Sequence, residues 1–239
     1  MHEYFINKEK KRKKISFRIT QFFAKLILYH RPKFIFLGDS FIESPFVLLS
    51  NHVGSKVGPK IDNYFPHKQY MWGTYEMTGK LKDVRKYLVH IYYHQKKKVP
   101  LFFAQIIGTI FSPFAYMYYQ GIRLIPTYPD SRFVHSISLS LEAMNNGNSI
   151  TIYPEDSSEG YKDVLTKLFS GFVILCEARR RKGMDTLIYV TYYQKKKNRF
   201  IVDEPISYQS LYEEYKDDRD LIAEKMRLKM NALKDYKYK

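Results

Sequence analysis

Two apolar runs of this 239-residue chain each end in side chains that can exchange protons. Residues 45–50 are followed, after one asparagine, by His52, and residues 149–152 are followed by Tyr153 and Glu155. Buried strands that end in titratable groups are how an open α/β sheet presents catalytic side chains at one edge. The two runs together predict an enzyme whose site lies where two strands end.

The elements that must position these residues alternate between strand and helix patterns. The predicted strands are 34–37, 46–49, 68–75, 123–125, 149–153, 186–193 and 199–202, and the predicted helices are 81–91, 132–146, 169–181 and 210–233. This alternation implies an α/β fold with a mixed sheet flanked by helices. We expect an N-terminal segment over 1–30, an α/β domain over 31–209 and a charged C-terminal helix over 210–239.

Two further segments have compositions typical of helices at a membrane. Residues 8–29 combine a lysine run with an amphipathic pattern, which suits either an anionic membrane surface or a helix covering the sheet. Residues 99–122 carry no charge and are long enough to span a bilayer. Because Pro100, Gly108 and Pro113 interrupt this run, we expect a broken helical segment that is buried or dips into one leaflet, not a span.

The composition favours a membrane surface as the partner. A net charge of +16 points to a polyanion, unless the lysines only keep the protein soluble. The 22 Tyr and 17 Phe residues suit a membrane interface and do not alternate with glycine and arginine as in many RNA-binding segments. We therefore predict an anionic membrane surface as partner, no nucleic acid, and a peripheral or monotopic location on the cytoplasmic face of the membrane.

The cysteine and histidine usage argues against a metal centre. Cys176 is the only cysteine, so a disulfide within the chain and a thiolate metal cluster are both excluded, and a reducing compartment fits. The histidines lack metal-ligand spacing. We predict no metal.

Three ordered motifs resemble those of the glycerophospholipid (lysophosphatidic acid type, PlsC-like) acyltransferase family. Asn51-His52 is similar to the family's Asn-His-x4-Asp motif, residues 121–126 to its arginine-containing middle motif, and residues 152–155 to its Phe-Pro-Glu-Gly-Thr-Arg-Ser motif. Later, residues 169–172 and 203–206 are similar to its Phe-Lys-x-Gly and Gly-x-Pro-Ile segments. The resemblance covers roughly residues 33–207.

This resemblance implies a glycerol-3-phosphate (1)-acyltransferase-like fold with an N-terminal amphipathic helix. It also implies transfer of an acyl group from acyl-CoA or acyl carrier protein, the co-substrate, to a lysophospholipid or related hydroxyl acceptor. No other cofactor is expected.

The same resemblance makes His52 the general base, and histidine suits proton abstraction near neutral pH. Its imidazole needs an orienting acceptor, normally a carboxylate, but Val57 stands where the family has aspartate. We expect Asp62 to fold back as a substitute and Glu155 to help position the acceptor. The alternatives are a structural loop histidine at 52 and a helix N-terminal carboxylate at 155.

The arginine that would clamp a phosphate is also missing, because Asp156, Ser157 and Ser158 replace the family's Gly-Thr-Arg. We predict that other side chains hold the substrate's anionic group: Asn51, Lys56, Arg123, Arg132, Ser157 and Ser158. These departures leave open a second hypothesis, a catalytically inactive lipid-binding protein on an acyltransferase scaffold.

Overall fold

The computed structural model describes residues 22, 30–38, 45–54, 56–157, 159–216 and 218–237. The predicted N-terminal helix and Ser158 lie outside these residues. Two compact units emerge, one of His30–Trp72 with Thr127–Lys239 and the other of Met1–Tyr29 with Gly73–Pro126. Gly73–Pro126, which lies within the predicted domain over 31–209, belongs to the second of these units.

Within the part of the chain that the structure describes, eight strands form one mixed sheet. In chain order they are β1 (Lys33–Phe36), β2 (Phe46–Ser50), β3 (Gln69–Thr74), β4 (Leu124–Thr127), β5 (Ser149–Ile152), β6 (Leu187–Gln194), β7 (Arg199–Val202) and β8 (Ile206–Ser207). The spatial order is β1-β7-β6-β2-β5-β3-β4, with β8 also beside β6. The predicted α/β class with a mixed sheet is confirmed, and β8 is a short strand that the sequence pattern did not predict.

Strand β2 lies at the centre of this sheet. It pairs in parallel with β6 on one side, Ser50 opposite Thr191, and with β5 on the other, Leu49 opposite Ile152. Its side chains are fully buried, as expected for a strand covered on both faces. Since the three strands run in the same direction, β2, β5 and β6 all end at one edge of the sheet.

The helices are α1 (Val57–Tyr64), α2 (Tyr75–Thr78), α3 (Leu81–Lys86), which continues as a π-helix (Tyr87–Lys96), α4 (Leu101–Gly121), α5 (Phe133–Asn145), α6 (Gly171–Arg180), α7 (Tyr208–Tyr215) and α8 (Arg219–Ala232). Helix α1 covers one face of the sheet, where Val57 and Ile61 pack into a core with Phe46 and Leu48. Because side chains alternate between faces along a strand, Val47 and Leu49 point to the other face. Helix α5 packs against β5 and helix α8 against β6.

The predicted C-terminal helix is two helices. Lys216, with φ of +51°, ends α7 in a conformation that a helix cannot continue. Asp218 then caps α8 by accepting a hydrogen bond from the amide of Leu221 at 3.0 Å. Buried Ile222, Met226 and Met230 anchor α8 in the core.

Residues 99–122, expected to form a broken segment, instead contain one continuous helix, α4. Pro100 is its N-cap, where a missing amide hydrogen costs little. Pro113 cannot donate to the carbonyl of Thr109, but the Ser112 hydroxyl donates to that carbonyl at 3.1 Å. The helix therefore continues past its internal proline. By length and composition alone, α4 could cross a membrane. An 18-residue stretch of the helix has a mean hydropathy of 1.4, and 17% of that stretch is buried.

Candidate active site

The position of His52 is fixed by the residue before it. Asn51 is fully buried, and its Oδ1 accepts a hydrogen bond from the backbone amide of Tyr193 at 2.7 Å. Its Nδ2 donates to the carbonyl oxygen of the same residue at 3.4 Å. Asn51 thus extends the pairing of β2 and β6 by one residue and places His52 at the sheet edge.

Two tyrosine rings contact the His52 imidazole. The ring of Tyr153, which directly follows β5, lies 4.9 Å from it between centroids at an interplanar angle of 76°. The ring of Tyr161 lies at the same centroid distance with an angle of 37°. The parallel pairing of β2 and β5 accounts for the first contact, because His52 and Tyr153 each follow the end of one strand.

The Tyr153 hydroxyl marks the centre of an acidic cluster. It donates to the Met71 sulfur at 3.7 Å. Burial raises the pKa of the Tyr153 phenol, and the carboxylates of Asp62 and Glu155 raise it further. The phenol is therefore neutral at physiological pH. Tyr153 thus contacts the ring of His52 and lies within the electrostatic range of Asp62 and Glu155, the other two predicted catalytic residues.

Glu155 is held in a loop that closes on itself. Its backbone forms an isolated antiparallel bridge with Leu168, and the amide of Phe169 donates to the Pro154 carbonyl at 2.7 Å. Only 7% of Glu155 is exposed. Its charge also contributes to raising the pKa of Tyr192 to about 12, after burial and Asp163. Glu155 therefore lies at the buried end of β5, between two phenols.

The loop from His52 to α1 depends on glycine at position 54. Gly54 has a φ of +95°, which other residues avoid, and its surroundings are open. At Gly58, a Cβ atom would lie 3.5 Å from the Tyr153 hydroxyl. The first turn of α1 thus approaches the acidic cluster closely.

Val57 occupies the first position of α1 and is fully buried. It belongs to the core cluster that includes Leu48 and Ile61, with Tyr153 packed against it. At the position where the resembled motif has aspartate, this chain therefore places a core side chain. Asp62, five residues further along α1, is together with Glu155 one of the two acids that raise the pKa of Tyr153.

No protein-family model matches this chain, and no curated protein matches it. Among solved structures, it is similar to the 1-acyl-sn-glycerophosphate (LPA) acyltransferase PlsC from Thermotoga maritima. The two share 16% sequence identity over 97% of this chain and 84% of that chain, with a TM-score of 0.45.

The two predicted anion-binding arginines have different surroundings. Arg132 is exposed, forms a two-pronged ion pair with Asp130, and lies 4.5 Å from the centroid of the Tyr128 ring. That pairing lowers the pKa of Asp130 to about 2. Arg123 belongs to the other unit, just before β4.

The remaining predicted binding residues have other surroundings. Asn51 is engaged with the Tyr193 backbone, as described above. Lys56 is exposed at the N-cap of α1. Ser157 is half-buried, and its carbonyl accepts a hydrogen bond from the Gly160 amide at 3.0 Å. Among the described residues, no cluster of three or more metal-ligating side chains occurs.

A buried lysine was missed in the sequence. Lys60 is 6% exposed and donates from Nζ to the Tyr193 hydroxyl at 2.6 Å and to the Asn198 side-chain oxygen. Burial lowers the pKa of this amine, and the nearby charge of Lys56 lowers it further. Helical spacing from Val57 would have placed position 60 on the buried side of α1. Lys60 thus joins α1 to the residue that Asn51 holds.

Proposed function

We propose that this protein is an acyltransferase that moves an acyl group from an acyl thioester to a hydroxyl acceptor of the lysophospholipid type. The observation that carries the proposal is the contact between the His52 imidazole and the Tyr153 ring at one sheet edge, with the Tyr153 phenol within the electrostatic range of Asp62 and Glu155. Acyl transfer needs a base for the acceptor hydroxyl and polar groups near the developing oxyanion. The His52 imidazole can supply the base, and a carboxylate is the group that would orient it.

In the proposed reaction, His52 takes the proton of the acceptor hydroxyl as its oxygen attacks the thioester carbonyl. Collapse of the tetrahedral intermediate breaks the carbon–sulfur bond, and the proton leaves with the thiol. Asp62 is the proposed orienting acid, since Val57 lies in the core. Glu155 is proposed to help position the acceptor. Acyl-CoA or acyl carrier protein is the proposed donor, and the cytoplasmic face of an anionic membrane the proposed location.

The test is an acceptor panel with a radiolabelled acyl-CoA and product separation by thin-layer chromatography. Lysophosphatidate, other lysophospholipids and simple alcohols are compared with the wild-type protein, His52→Ala and the exposed control His135→Ala. Labelled product that forms with wild type and His135→Ala, but not with His52→Ala, supports the proposal. Undiminished transfer by His52→Ala rejects the mechanism.

A second function is favoured by one observation, the burial of Val57 where the resembled motif has its acid. On that basis the protein would bind lipid without turnover. It predicts vesicle binding that weakens with salt, together with no product from any acceptor in the panel. Product formation with any acceptor rejects it.

A further inference from the structure

The second unit contains a helical hairpin that carries its large apolar residues on the outside. Helix α4 buries mainly small residues, Ala104, Gly108 and Ser112, spaced four apart. A Cβ atom at Gly108 would lie 2.6 Å from a methyl group of Val89 on the π-helix. The hairpin therefore packs through a small-residue stripe, which brings its two helices close together.

Seven bulky apolar side chains of the described helix α4 are exposed. Those with at least two-fifths of their surface exposed are Leu101 (40%), Phe102 (67%), Phe103 (55%), Ile106 (45%), Ile110 (58%), Phe111 (51%) and Phe114 (46%). An exposed set of this size on one helix marks a surface that meets something less polar than water. We name these seven residues the apolar face of α4.

A cationic groove adjoins α4. Its wall on α3 and the π-helix presents exposed Lys82, Arg85, Lys86 and His90, and its wall on α4 includes Gln105 and Thr109. Among the ion pairs of the described residues, none involves Lys82, Arg85 or Lys86. The groove therefore has positive charge to offer an external anion.

The net charge of residues 73–126 is positive, like that of the groove. Between residues 73 and 126 the sequence has eight Lys or Arg against two acidic residues. The three exposed cations of α3 would be costly to place in hydrocarbon, so this half of the hairpin stays at the water side. Because the chain leaves β3 and returns to the neighbouring strand β4, both ends of the hairpin start from one sheet. The hairpin is thus suited to lie in an interface plane.

We propose that this hairpin docks on a leaflet of anionic phospholipid, with the apolar face of α4 in the acyl boundary and headgroup phosphates in the cationic groove. Exposed apolar side chains beside exposed cations match the two layers of such a leaflet. A protein partner would need acidic side chains to fit the cationic groove as well as an apolar surface to cover the apolar face of α4. The proposal does not depend on acyl transfer, because binding alone is measured.

The experiment places a fluorescent reporter on the surface. Trp72 is the only tryptophan, so Trp72→Phe removes the background. Phe102→Trp then reports on the apolar face, and Val134→Trp, at a 74% exposed site of the other unit, is the matched control. Full-length protein is mixed with vesicles of phosphatidylglycerol and phosphatidylcholine that carry brominated acyl chains, which quench an inserted indole.

We expect quenching and a blue shift at position 102 and neither at position 134. Replacing Lys82, Arg85 and Lys86 together by Gln should weaken partitioning to these vesicles by about tenfold or more. The same change at the exposed Lys195, Lys196 and Lys197 should weaken it much less. Vesicle binding without quenching at position 102, equal losses in the two triple variants, or no binding would overturn the proposal. So would a dimer that buries position 102 in place of lipid.

Discussion

The His52 imidazole lies edge to face with the Tyr153 ring, 4.9 Å away between centroids. The same tyrosine has its hydroxyl within the electrostatic reach of Asp62 and Glu155. The Tyr153 side chain thus links His52, which follows β2, with Asp62 on α1 and Glu155 in the loop after β5. The predictions below test this arrangement and the scaffold that holds it.

Removing the Tyr153 ring should impair His52 more than removing its hydroxyl. Tyr153→Phe keeps the ring contact and loses only a weak bond to sulfur, so the free energy of unfolding should change by less than about 1 kcal/mol. Tyr153→Leu removes the aromatic ring that contacts the His52 imidazole. The imidazole then loses its fixed orientation, and kcat should fall about tenfold or more. Steady-state rates of the two variants check this, and equal rates would show that the ring does not position His52.

Asn51→Ala should destabilise the fold. It leaves the buried amide and carbonyl of Tyr193 without their side-chain partner, and each such loss costs about 1–3 kcal/mol. We expect the free energy of unfolding to fall by roughly 2–4 kcal/mol in urea denaturation. Asn145→Ala, at an exposed position of α5, is the control and should change little. A loss no larger than the control's would mean that Asn51 does not hold the sheet edge.

Restoring an acid at position 57 should not repair the motif. Val57 is fully buried among apolar side chains, so Val57→Asp places a carboxyl group in the core at a cost of about 3 kcal/mol or more. Val134→Asp, at an exposed site, should be close to neutral. Thermal unfolding followed by circular dichroism compares them. A Val57→Asp protein that is as stable as wild type and turns over faster would contradict this role of Val57.

A buried carboxylate joins α6 to α8. Burial alone would raise the pKa of Glu177, but hydrogen bonds from Arg219, at 2.7 Å, and Arg181 bring it below its ordinary value of 4.5. A lowered folded-state pKa stabilises the protein at pH above the unfolded value, and this contribution is lost as pH falls through the folded value. Arg219→Gln should therefore cost about 1–2 kcal/mol at pH 7 and progressively less below about pH 4.

Urea unfolding at pH 7 and at pH 3 measures this difference. Lys225→Gln, which removes the surface ion pair with Glu214, is the control. The control should lose about 0.5 kcal/mol or less. A loss in Arg219→Gln that stays constant down to pH 3 would show that Glu177 is not its source.

The sequence predicted the sheet well because its central strands are continuous apolar runs between turn residues, a pattern that survives any tertiary context. It also placed His52 and Glu155 at one edge, which follows from two parallel strands ending together. The prediction of a broken segment was wrong at α4, because the Ser112 hydroxyl donates to the Thr109 carbonyl, to which Pro113 cannot donate. Composition alone predicts a helix break at an internal proline and does not indicate this compensating hydrogen bond.

The binding residues were less predictable for a related reason. Arg132 was expected near the substrate, but Asp130, two residues earlier, occupies its guanidinium group. The contacts of Tyr153 and Tyr161 with His52 join segments about 100 residues apart, and no local pattern encodes them. Lys60 is the exception, because its helical spacing from Val57 could have marked it as buried.

The central claim, that His52 is the base for acyl transfer, is tested most directly by the rate of thiol release from acyl-CoA in the presence of lysophosphatidate. A thiol reagent such as DTNB can follow the reaction continuously, because Cys176 is fully buried and burial raises its pKa. We expect acceptor-dependent release by wild type and by His135→Ala, and a rate lower by roughly 10²–10⁴ in His52→Ala. Acceptor-dependent release at the wild-type rate by His52→Ala would contradict the account.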